Sequence, residues 1–147
     1  MKLTLGDVLS MPEPEISNLT KSFFAHGQEY DITIRADAEQ DANLWFRVIG
    51  IFGRVISEDA ELKFHTPHGD VVEINDPSYL ANLNVLSVVS IDPVFTVEEW
   101  ALFGRKVGPR VIEKIIDWVA EVNGLTSYLM ERYEAIKNAS SAGDLKN

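Results

Sequence analysis

The stretch from Gly108 to Leu125 constrains the fold of this chain more than any other. Pro109 stands at a first helical position, where its missing N–H costs nothing. Val111, Ile112, Ile115, Ile116, Val119 and Val122 then recur at the spacing of one broad helical face. Asn123-Gly124-Leu125-Thr126 reads as a Schellman-type stop followed by a new N-cap. A helix bounded this sharply and apolar over so wide a face needs a core to cover it. Its neighbours follow the same logic. Thr96-Val-Glu-Glu99 has the spacing of a capping box and opens a short helix carrying Trp100 and Phe103. Thr126 caps a last helix with Leu129, Met130, Tyr133 and Ile136. Three helices in series are therefore expected over 96–138.

Upstream the signals are more mixed. Thr4 caps a short helix over 4–10 with Leu5, Val8 and Leu9 on one side, and Pro12 and Pro14 stop it. Ser22–Phe24 and Tyr30–Arg35 flank Ala-His-Gly-Gln (25–28), and Tyr30, Ile32 and Ile34 alternate at period 2, which predicts a hairpin with one buried face. Leu44, Val48, Ile51, Phe52 and Val55 predict a helix over 38–56, with Asp37, Glu39 and Asp41 complementing the dipole of its first turn. Trp45, Ile49 and Ile56 widen that stripe, so the helix is expected to be central. Gly50 and Gly53 cost about 1 kcal/mol each against alanine unless they permit close packing or mark a break. A second hairpin is expected across Leu62–Phe64 and Val71–Ile74, turning at 66–70. Residues 78–91 fit either a helix to about 88 or a buried strand over 85–91, and Tyr79, Leu83 and Leu86 favour the helix. The fold class is thus α+β and helix-dominated, with a small antiparallel β-hairpin sheet near the N-terminus and a C-terminal helical layer.

The chain has 147 residues, enough for one domain, expected over 1–138 with a flexible tail over 139–147. With no cysteine there is no disulfide framework, thiolate zinc site or cysteine nucleophile. Thirteen basic and 23 acidic side chains leave a formal charge of −10, which argues against nucleic acid as a main partner. The charge is uneven: residues 1–76 hold 14 acids and 6 bases, and residues 77–147 hold 9 and 7. The early prolines and acids do not read as a signal peptide, and no apolar run is long enough to predict a membrane span.

Few residues suggest chemistry. His65, His68 and Asp70 could approach one another in the second hairpin turn, the minimum for a catalytic metal site, but a solvated turn explains them as well. His26 has no evident partner. The acids at 37–41, Glu98 and Glu99 have structural roles at helix starts, and there is no phosphate loop, nucleophile elbow or zinc-protease motif. Neither a cofactor, a metal nor an enzymatic activity is expected. Arg105, Lys106, Arg110 and Lys114 form the one basic cluster. It is a solvated face or an ion-pairing partner for the acidic N-terminal half, or a docking patch for a neighbouring acidic subunit.

The order of elements, with Leu3-Thr-Leu-Gly-Asp-Val-Leu9 ahead of a strand pair and helix, resembles a known family. So do the Asp92-Pro-Val-Phe-Thr96 turn and the run Val-Ile-Glu-Lys-Ile-Ile-Asp-Trp-Val-Ala-Glu-Val-Asn-Gly-Leu (111–125) before a terminal helix. The chain resembles the tail assembly chaperones of long-tailed (siphovirus-type) bacteriophages, most closely over 92–138 and only by position over 1–56. Residues 61–76 do not belong to that pattern. The resemblance implies a non-catalytic late protein of the host cytoplasm, absent from the finished virion. It would bind the helical tape measure protein, keep it soluble and help recruit tail tube protein, and it could self-associate into open oligomers. Trp100, Phe103, Leu129, Met130, Tyr133 and Ile136 are the candidate partner-binding residues, because methionine and aromatic side chains repack around varied helices. Their alternative role is to close the core. The competing function is a structural tail or head–tail connector subunit retained in the particle.

Overall fold

Asn18–Ala25 (β1) and Gln28–Arg35 (β2) pair antiparallel around a two-residue turn, with His26 at φ 53° and Gly27 at φ 74°. Two positive φ values are what a type I′ turn requires, and its twist matches that of the strands. Phe23, Ile32 and Ile34 point inward and are buried, while Thr20 bonds Thr33 and Ser22 bonds Asp31 across the outer face. The computed structural model describes residues 2–13, 15–38, 40–126, 130, 131, 134, 135 and 137–139. The expected tail over 139–147 therefore lies almost wholly outside the described residues.

Ala42–Ser57 (α2) starts later than its acids suggested. Asp41 is the N-cap, accepting from the Asn43 and Leu44 amides, and no acid lies in the first turn. Asp37 has a different task. Its buried carboxylate accepts two bonds from the Arg35 fork, at 3.0 and 2.9 Å, and one from the Ser17 amide at 3.2 Å. The link between β2 and α2 is thus pinned by side-chain bonds rather than by helix.

Leu62–His65 (β3) and Val71–Ile74 (β4) form a separate two-stranded hairpin in the expected register, and Val72 is its one buried residue. Pro77–Val89 (α3) resolves the ambiguous stretch. Asp76 caps it, Pro77 opens it, and Leu80, Ala81, Leu83, Val85, Leu86 and Val89 are all buried. Apolar residues all round a helix mean burial on all sides. It is α3, touching α2, α4, α5 and β4, that is central; α2, expected there, packs mainly on α3 and leaves Phe46 exposed. Ser90–Asp92 (β5) follows directly and pairs with β2, so the first sheet has the order β1-β2-β5 with β1 at an open edge.

Val97–Val107 (α4) has the expected capping box, Thr96 with Glu99. Gly104 on α4 allows the close approach to α3, since a Cβ there would collide with the Tyr79 hydroxyl and come within 3.0 Å of Ile112. Pro109–Val122 (α5) buries Ile112, Ile115, Trp118, Val119 and Ala120. It ends as expected: Gly124 has φ 66°, its amide bonds the Glu121 carbonyl, and the Leu125 amide bonds the Ala120 carbonyl at 2.8 Å. Leu125 enters the core, and buried Asn123 reaches back to the Ala38 amide and the Arg35 carbonyl.

Leu5–Ser10 (α1) is unlike the other helices. Thr4 and Asp7 form a full capping box, yet the helix buries nothing, and Leu5 and Leu9 are 73% and 77% exposed.

Candidate functional site

Of the six candidate partner-binding residues, the three described ones, Trp100, Phe103 and Met130, do not share one face. Trp100, one turn into α4, is 1% exposed and closes the core, the alternative role open to it in the sequence. Its indole makes edge-to-face contacts with Phe95 and Phe103 at 5.2 and 5.8 Å, and Phe103 does the same with Tyr30 at 5.6 Å. Phe103 is half-buried and lines, with Tyr30, Ile32, Pro93 and Phe95, a cleft of about 370 Å³. The Trp100 Nε1 is the one buried side-chain polar atom among the described residues without a hydrogen-bond partner.

Met130 stands elsewhere. It is 60% exposed and lines a cleft of about 320 Å³ with Phe52, Ile116 and Ala120 on its apolar side. Ser78, Asn82, Asp117, Thr126 and Glu134 complete the lining. This cleft shares no lining residue with that of Phe103. Its apolar floor and acidic rim suit an amphipathic helix with basic flanks, the mode in which apolar anchors enter a groove. Leu129, Tyr133 and Ile136 lie outside the described residues; Met130, Glu131, Glu134, Ala135 and 137–139 are helical.

The basic cluster is also divided. Arg105 and Lys106 occupy the last turn of α4, where cations suit the carbonyl end of the helix dipole, and Arg110 and Lys114 stand exposed on α5. Both ion pairs among the described residues belong to Arg35, with Asp37 and Asp41, so none of the four cations pairs with the acidic N-terminal half. The Arg35 guanidinium holds the Asp37 carboxyl below the usual carboxylate range. Burial, and then the charge of Glu113, push the Tyr79 hydroxyl up.

His26 does have a partner. Its Nε2 lies 2.7 Å from the Lys106 carbonyl, which can only accept, so Nε2 carries the proton and ties the hairpin tip to the end of α4. His65, His68 and Asp70 are exposed around the second turn, and no group of three ligating side chains gathers among the described residues. Among them, too, no helix is long and apolar enough to cross a membrane.

One surface has no sequence signal. Between the open edge of β1 and α5 runs a groove of about 380 Å³, floored by Phe23, Val111 and Trp118 and flanked by Phe24, Lys21 and Lys114. Its two sides lie about 90 residues apart in the chain, so no local pattern could announce it. Comparison with protein-family models, with curated proteins and with solved structures finds no match for the chain.

Proposed function

We propose that the chain is a non-catalytic tail assembly chaperone of a long-tailed bacteriophage. It acts in the host cytoplasm, binds the helical tape measure protein, keeps it soluble and helps bring tail tube protein to it. The observation that carries this reading is the Met130 cleft, apolar along Phe52, Ile116 and Ala120 and acidic at Asp117 and Glu134. An isolated tape measure helix exposes an apolar stripe that aggregates in water, and such a cleft offers that stripe an alternative to its own kind. The resemblance over 92–138 points the same way.

Co-expression with a tape measure fragment tests it. Wild-type chain is expected to keep the fragment soluble and to co-elute with it on a sizing column. Met130→Asp, at an exposed position, is expected to lose co-elution while its far-UV circular dichroism is unchanged. A fragment that stays insoluble beside a freely eluting chain overturns the reading and favours a structural tail or connector subunit, which mass spectrometry of purified virions would detect.

A further inference from the structure

Three surfaces remain unexplained: the exposed N-terminal arm, the open β1 edge and the cations of α5, which make no ion pair among the described residues. We infer that they are one device, in which the arm of one copy, residues 2–16, docks along the β1–α5 groove of a second copy. This contact does not depend on whether the chain binds a tape measure protein.

The groove has the chemistry of a strand acceptor. The Ala36 amide bonds the Ser17 carbonyl at 2.9 Å, in register with the Asn18↔Arg35 and Ala25↔Gln28 pairings. Antiparallel ladders alternate, so residues 17, 19, 21, 23 and 25 face β2, while the amides and carbonyls of Asn18, Thr20, Ser22 and Phe24 face away. Among the described residues no backbone group bonds them. An unpaired edge beside a helix is the geometry by which an extended peptide adds to a sheet. Phe24 is 72% exposed at the groove mouth, although it lies on the otherwise polar outer face of the hairpin.

The arm has the matching chemistry. Leu3, Leu5, Leu9, Met11 and Ile16 are all more than half exposed, and α1 buries no residue of its own. Proline stands at 12 and 14, an even spacing. In an extended chain both prolines then turn the same way, leaving the amides of Met11, Glu13 and Glu15 free to face a strand. The pattern Met-Pro-Glu-Pro-Glu-Ile is thus acceptable as an added edge strand and cannot itself recruit a further one.

Charge fixes the occupant. The His26–Lys106 bond places the start of α5 at the hairpin tip, and the Asn123–Arg35 bond places its end at the hairpin base. Lys114, with Arg110 one turn before, therefore lies toward the tip, Lys21 midway along β1, and Asp117 and Glu121 toward the base. Glu13 and Glu15 of an incoming arm suit the tip end, where they meet cations that make no ion pair among the described residues. Because arm and groove are different surfaces of one chain, the contact is heterologous and extends from copy to copy unless the rotation closes a ring.

Sedimentation velocity over a concentration series tests the proposal with the full chain alone. Wild type is expected to grow beyond one chain with concentration. Two variants are expected to stay monomeric with unchanged thermal melting: Leu9→Asp with Met11→Asp, which spoils the arm, and Ser22→Pro, which removes an outward amide of the edge. Mixed together they are expected to form a one-to-one dimer, since one retains the groove and the other the arm. A wild type that is monomeric at every concentration overturns exchange between copies, including the case in which exchange-protected arm amides place the arm on its own groove. Association that survives both variants, or variants that fail to complement each other, overturns it as well.

Discussion

Helices α1 and α4 begin with the same device and meet opposite fates. Each opens on a threonine whose hydroxyl accepts from the amide three residues on, while the acid there, Asp7 or Glu99, accepts from the threonine amide. Yet α4 buries Trp100, Ala101 and Gly104, and α1 buries nothing. A cap decides where a helix starts, because its bonds are local; whether the helix is covered depends on what the rest of the chain brings to it. α4 meets α3, α5 and, through Phe103, the sheet. α1 buries no residue, and Pro12 and Pro14 stand between it and β1 in the sequence.

Truncation of the covered member should separate the two helices most. Trp100→Ala removes a fully buried indole and its two ring contacts, and is expected to cost about 3–5 kcal/mol in urea unfolding. Leu9→Ala, on α1, is expected to shift the same midpoint by less than about 0.5 kcal/mol. Comparable losses at the two positions would mean that α1 is part of the folded unit.

Glycine substitution is the next step down. Gly104→Ala drives a methyl into Tyr79 and Ile112 and is expected to destabilise by about 1–3 kcal/mol. Gly50→Ala is its control: a Cβ there meets nothing within 4 Å, so only helix propensity changes, and a gain of about 1 kcal/mol is expected. If both substitutions stabilised, the close approach of α4 to Tyr79 would be wrong.

The smallest effect sharpens the comparison at the caps themselves. Thr96→Ala is expected to cost about 1 kcal/mol of global stability. Thr4→Ala is expected to leave the unfolding midpoint unchanged and to raise amide exchange only within α1, because a helix that buries no residue of its own can unfold without disturbing the core. A global loss from Thr4→Ala would show that α1 is coupled to the body of the protein.

Much of the fold was legible in the chain because its signals are short-range. The hairpin turns at His26-Gly27 and 66–70, the Thr96 box, Pro109 and the Gly124 stop all act within a few residues, and all form where expected. The misreadings involve partners that are distant in sequence or signals that fit two structures. Asp37 looked like a helix-start acid but is held by Arg35 and by Ser17, 20 residues away. The stretch 85–91 looked like helix or strand, and is helix to Val89 and strand from Ser90. His26 looked unpartnered because Lys106 is 80 residues away.

The candidate site was less legible than the fold. Trp100 and Met130 are both large, apolar and set on consecutive-looking helical stripes, and nothing in the sequence distinguishes a core residue from an exposed one there. Tertiary packing separates them, closing Phe95, Phe103 and α3 over the first and leaving the second at the edge of an open cleft. The β1–α5 groove likewise exists only once Phe23 and Trp118, 5.7 Å apart between ring centroids, bring the first strand against the fifth helix. The sequence by itself determined where helices and turns begin and end, since capping bonds and positive-φ turns are satisfied within a few residues. Only the tertiary structure decided which apolar faces are covered and which strand edge stays open, because burial is a property of surfaces that meet across the whole chain.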